Sequence, residues 1–179
     1  MVDMLYETVK NLVFLYYKNA LILGVAVCGI NQAAVMVYSG YKKKNSVLLF
    51  LFSIYLYAVF VFTILSRTGT YISEINLLPL ASFQKSKWER MYFFVNILLF
   101  FPMPIFLYML YSTFRTFKNS LLAGLFTSMA IEAAQYILHC GWCDIDDILS
   151  NTSGVVLGWL CIHGIYRIRA VLMPLLVKN

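Results

Sequence analysis

The sequence is poor in charge. Asp, Glu, Lys and Arg make up only 12% of its 179 residues, against about a quarter in an ordinary soluble domain. It has no polar linker, no low-complexity tract and no internal repeat. An HExxH helix and a Ser/His/Asp arrangement are both missing, so the common hydrolase signatures do not apply. The amino terminus has neither the basic start nor the small-residue cleavage site of a signal peptide. The net charge of +6 comes from basic residues in short groups between apolar runs. No basic face runs along a polar surface, which argues against nucleic acid as a partner.

What the chain has in quantity is hydrocarbon, with 61% hydrophobic and 17% aromatic residues. Tyr and Trp favour membrane interfaces, where the ring lies in oil and its polar edge stays wet. An α-helix needs about 20 apolar residues to cross a hydrocarbon layer about 30 Å thick. Five runs meet that length: Ala20 to Tyr38, Val47 to Leu65, Met91 to Tyr111, Leu121 to His139 and Ile148 to Tyr166. Ahead of them Leu5, Val9, Leu12 and Tyr16 recur at helical spacing opposite Asp3, Glu7 and Asn11, which predicts an amphipathic surface segment. The expected fold is therefore all-α, a polytopic transmembrane bundle of about five helices over residues 1–179, with a long outer loop from Ser66 to Arg90.

Lys and Arg near membrane ends are held on the cytoplasmic side. Lys42, Lys43 and Lys44, then Arg115 and Lys118, then Arg167, Arg169 and Lys178 mark alternate loops as inside. The amino terminus is then outside and the carboxyl terminus cytoplasmic. The eight acidic residues fall outside or within the fourth helix.

Glu132 stands out, because a rise of about 1.5 Å per residue from Leu121 puts it near the bilayer midplane. An ionisable group there is costly unless paired, protonated or wet. Ser128, Glu132, Gln135 and His139 share one helical face, predicted to line an outward polar cleft. The competing structural reading is a buried hydrogen-bond knot between helices. Asp144, Asp146 and Asp147 precede the fifth helix. One suffices as a cap, and three could bind a divalent cation or a cationic head group. Gly154 and Gly158 form a small-xxx-small face for close helix packing. Pro102 and Pro104 should kink the third helix, and Asn96 lies near its outer end. Arg67, at the outer end of the second helix, reads as a snorkelling anchor or a ligand contact. Cys140-Gly141-Trp142-Cys143 allows a thiol exchanger, a structural disulfide or two unpaired thiols.

Taken together these motifs resemble the VanZ-like family of bacterial membrane proteins. The resemblance rests on Asn76-Leu77-Leu78-Pro79-Leu80, on Asn96-Ile97-Leu98-Leu99-Phe100-Phe101-Pro102, on Ile131-Glu132-Ala133-Ala134-Gln135, and on Asp144-Ile145-Asp146-Asp147 with Asn151-Thr152 and Gly154. Arg67 stands where the family often has a basic residue, and the motifs cover about Ser66 to Leu160. The chain departs from the pattern at Pro104, at Leu80 and at Gly141-Trp142. The resemblance implies a bacterial cell-membrane protein associated with teicoplanin resistance. Teicoplanin carries an acyl chain that vancomycin lacks, which suggests a site for an amphiphile at the outer leaflet. The expected ligand residues are Arg67, Asn76, Asn96, Glu132, Gln135, Asp144, Asp146, Asp147 and Asn151, and the partners are membrane lipids, a lipoglycopeptide or a lipid-linked wall precursor. A second expectation is an intramembrane enzyme with Glu132 as general base and Asp144, Asp146 and Asp147 holding a metal.

Overall fold

The computed structural model describes residues 43–65, 75–139, 141 and 143–177. The amphipathic segment, the first expected span, Arg67, Cys140, Trp142 and Lys178 lie outside them. The chain divides into two compact units, Met1–Ala58 and Val59–Asn179. The described part of the first is the opening of helix α1 (Lys43–Thr63).

The second unit carries the end of α1 and, in order, β1 (Ile75–Asn76), a 3-10 turn (Ala81–Phe83), α2 (Lys87–Phe100), α3 (Pro102–Leu110), a 3-10 turn (Ser112–Arg115), α4 (Phe117–Ile137), β2 (Cys143–Asp144) and α5 (Ile145–Val177). Among the described residues the fold is thus all-α apart from two short strands. These pair in parallel, Ile75 with Cys143 and Asn76 with Asp144.

Among the described residues three helical stretches are long and apolar enough to cross a membrane, Ser46–Thr63, Lys87–Leu110 and Ile145–Pro174. Three of the five expected spans are therefore matched among the described residues. The fourth forms as α4, whose 21 residues extend about 31 Å. Its apolar character is diluted by a buried stripe of Ser120, Gly124, Ser128, Glu132 and Gln135.

Helix boundaries differ from the expected ones for local reasons. α2 begins four residues early because Ser86 caps it and accepts the Glu89 N–H, a capping-box spacing. The run through Pro102 breaks at Phe101 into α2 and α3, as the missing proline N–H requires. α5 continues eleven residues past Tyr166, since Arg167 and Arg169 are good helix formers.

The packing of α4 on α5 is a simple antiparallel register. Gly124 faces Val155, Ser128 bonds Asn151, and Glu132 bonds the chain at Asp144. Against α2 and α3, α5 runs parallel and brings Gly154 onto the Ile97 carbonyl and Gly158 onto the Phe101 carbonyl. A β-carbon at either glycine would overlap those oxygens, so the small-residue face is required by close backbone approach. Among the described residues the largest fully buried side chains are more often polar than apolar: Glu132, Gln135, Asp146, Ser46, Ser120, Ser128 and Ser150 against Phe100, Val155 and Pro104. Many large apolar residues point outward instead, Leu98, Ile137 and Phe126 among them. That inversion fits a chain solvated by lipid.

Candidate functional site

Most of the expected site residues converge where the start of α5, the C-terminal part of α4, the middle of α2 and the segment Ile75–Phe83 meet. β2 folds back over α4, and the Glu132 Oε2 accepts the Asp144 N–H at 2.9 Å. Asp144 Oδ1 accepts the Asp146 N–H at 2.9 Å, the bond of an N-capping aspartate. Its other oxygen accepts from Asn76 Nδ2 at 3.0 Å. Asn76 also holds its own turn by accepting the Leu78 N–H at 3.2 Å.

Asp146 is fully buried and takes two backbone N–H groups from the preceding segment, Leu80 at 2.5 Å and Ser82 at 2.8 Å. Leu80 has φ 62°, in the left-handed region that a branched residue avoids. The carboxylate therefore fixes a strained corner and aims Leu77, Leu78 and Leu80 outward, all more than half exposed. Asp147 Oδ1 accepts from Asn96 Nδ2 at 2.7 Å, tying α5 to α2. Gln135 Nε2 donates to the Thr63 carbonyl at 2.9 Å, tying α4 to the end of α1. Asn151 Nδ2 donates to Ser128 Oγ at 2.9 Å.

Three expectations are corrected by this geometry. Glu132 and Gln135 are each 1% exposed, so they do not line an open cleft. They sit inside a hydrogen-bonded knot, the competing structural reading of the same residues. His139 does not share their face, because α4 ends at Ile137 and His139, at φ 52°, lies exposed in the turn beyond it. Glu132 also lies five residues from the end of α4, about 8 Å along the axis and nearer an end than expected.

Asp144, Asp146 and Asp147 spend their oxygens on three different sets of N–H donors. Among the described residues no group of three His, Cys, Asp or Glu side chains could hold a metal ion. The acidic loop thus does not fit a divalent cation, and its negative charge is answered by backbone and amide dipoles.

Cys143 is a free thiol. Desolvation, with Glu132 and Asp144 close by, pushes its pKa above the usual thiol value. A disulfide exchanger needs the opposite shift.

Beside the knot lies a mainly apolar groove of about 700 Å³, lined by Phe62 and Thr63 of α1 and by Tyr92, Val95, Asn96 and Leu99 of α2. Two of its polar contributors are held from behind by the knot, Thr63 through Gln135 and Asn96 through Asp147. Sequence reasoning missed this groove. Asn96 was legible as a polar residue in an apolar run, whereas Thr63 acts through a backbone carbonyl and Leu80 and Ser82 through backbone N–H groups, which leave no trace in residue type.

No curated protein and no solved structure matches the chain. The family model described as VanZ/LLP1 matches residues 44–168, well over half of it. That range takes in the knot, the groove and the glycine face. With three helices among the described residues able to cross a bilayer, this chain is a membrane protein that belongs to the VanZ/LLP1 family.

Proposed function

We propose that this protein binds an amphiphile at the outer leaflet of the bacterial membrane and thereby modulates resistance to lipid-tailed glycopeptides of the teicoplanin type. The ligand is the acylated drug or a lipid-linked wall precursor. The observation that carries the reading is the groove between α1 and α2. Its volume falls in the ordinary range of small-molecule pockets, about 300–1,000 Å³, and its walls suit an acyl chain.

In this reading Asn96 and Tyr92 meet the polar head, and the apolar side chains meet the tail. Asn76, Glu132, Gln135, Asp144, Asp146, Asp147 and Asn151 position the groove and its rim without touching the ligand. Arg67, four residues past the end of α1 in the sequence, is the cation this reading assigns to an anionic head. The amino terminus is outside and the carboxyl terminus cytoplasmic, which places the acidic knot outward and Arg115, Lys118, Arg167 and Arg169 inward. Sealing of Glu132 favours this binder over an enzyme that uses it as a base, because a general base must reach its substrate.

The test is lipidomic analysis of a bacterial membrane with and without the protein, run alongside teicoplanin and vancomycin susceptibility. Selective protection against the acylated drug with an unchanged lipid profile is expected. A new or lost lipid species would overturn the binder in favour of an enzyme.

A further inference from the structure

Among the described residues, the end of the bundle opposite the acidic knot holds cations and aromatic rings without a carboxylate side chain. Arg115 closes the turn before α4, Lys118 follows in the first turn of α4, and Arg167 and Arg169 lie on α5. Glu132 is fifteen residues from the start of α4, about 22 Å, and Asp147 is twelve residues from Trp159, about 18 Å. Among the described residues none of these four cations forms an ion pair.

Two of the guanidinium groups are held by their inner nitrogens. Arg115 Nε donates to the Tyr108 carbonyl at 3.4 Å, and its Cζ lies 5.9 Å from the Tyr108 ring centre. Arg167 Nε approaches His163 Nε2 at 3.5 Å. The same Tyr108 ring sits 6.3 Å from the His163 ring, so both arginines flank one aromatic pair. His163 stacks on Trp159 at 4.4 Å, and Phe117 packs edge-on against Trp159 at 5.2 Å.

An arginine tethered through Nε keeps its two terminal nitrogens outward in a fixed plane, the fork that takes two oxygens of a phosphate. The surplus at this end is of donors throughout. Trp159 Nε1 has no acceptor among the described residues. His163 Nδ1, which carries the ring proton when Nε2 accepts from Arg167, has none either. Tyr and Trp at a bilayer edge mark the depth at which phospholipid phosphates lie.

We infer that Arg115 and Arg167, set on the Tyr108, His163 and Trp159 rings, form a binding site for the phosphodiester of an anionic phospholipid on the leaflet away from the acidic knot. Attraction at the surface favours an anionic over a zwitterionic lipid by about fivefold for each Lys or Arg, so about fivefold is the least that the two arginines together should give.

Trp159 is placed to report on its own neighbour. The full-length chain with Trp88→Phe and Trp142→Phe, reconstituted in vesicles, is titrated with brominated phosphatidylglycerol or brominated phosphatidylcholine, and Trp159 quenching is read. The expected result is a relative binding constant about fivefold or more in favour of phosphatidylglycerol. Arg115→Gln with Arg167→Gln should abolish the preference, and Arg169→Gln, on another face of α5, should keep it. Equal quenching by both lipids would overturn the site. So would a preference that survives the double variant, or one that Arg169→Gln removes equally, since bulk charge would then suffice.

Discussion

The carboxylate of Glu132 accepts the backbone N–H of Asp144 at 2.9 Å, twelve residues on, and so ties the last turns of α4 to the segment that leads into α5. Glutamine keeps an acceptor oxygen at that place and leucine does not. Glu132→Gln should therefore lower stability by about 1 kcal/mol or less, and Glu132→Leu by about 1–3 kcal/mol, because the part-buried Asp144 N–H is left unmet. Thermal unfolding in detergent separates the two. A Glu132→Gln protein that folds as well as the parent yet loses all protection would point back to a general base.

Asp146 holds two N–H groups with one carboxylate. Bonds to a charged acceptor are each worth about 1.5–3 kcal/mol. Asp146→Asn should lose about one of them and Asp146→Ala both. Hydrogen exchange at the Leu80 and Ser82 amides should rise in that order, while the core of α5 is less affected. Equal protection in all three proteins would mean that the corner is held by something else.

The glycines of α5 divide by what they touch. At Gly154 and Gly158 a methyl group would meet the Ile97 and Phe101 carbonyl oxygens, which are backbone and cannot swing away. Gly154→Ala and Gly158→Ala should each destabilise by about 1–3 kcal/mol through overpacking. Gly164 has nothing within 4 Å of such a methyl. Gly164→Ala should be neutral or gain up to about 1 kcal/mol from helix propensity. Melting temperatures of the three variants check the contrast.

Cys143 should be a slow nucleophile at neutral pH. Its neutral form is favoured by desolvation first and by the charges of Glu132 and Asp144 next. The thiolate therefore gains population only as pH rises past the ordinary thiol range. In a chain with the other three cysteines replaced by Ser, alkylation by iodoacetamide should lag behind a free thiol at pH 7 and catch up in alkaline buffer. Glu132→Gln should quicken it by removing one of the opposing charges. Fast alkylation at pH 7 would revive the thiol exchanger.

Much of the fold was legible because oil imposes long apolar runs and small residues where backbones meet. Val47 to Leu65 anticipated α1, and Gly154 with Gly158 anticipated the packed face of α5. Asp144 was legible as a cap, and Glu132 and Gln135 as a shared face. Their direction was not. Periodicity gives a face but not what it meets, and the partner of Glu132 proved to be a backbone N–H supplied by the β2 fold-back. The broken helix at Phe101 followed from two prolines. The groove beside Asn96 depends instead on how Phe62 and Thr63, at the end of α1, meet α2, which no residue pattern encodes.

The central claim is that the groove takes an acyl tail, and filling it is the most direct way to ask. The full-length protein in nanodiscs is titrated with teicoplanin and with vancomycin by calorimetry, alongside Val95→Trp and Leu99→Trp, which occupy the groove from α2. The account predicts saturable teicoplanin binding, little or no vancomycin binding, and at least about tenfold weaker teicoplanin binding in the two variants, or about 1.4 kcal/mol. Equal affinity for both drugs, or teicoplanin binding untouched by a blocked groove, would contradict it.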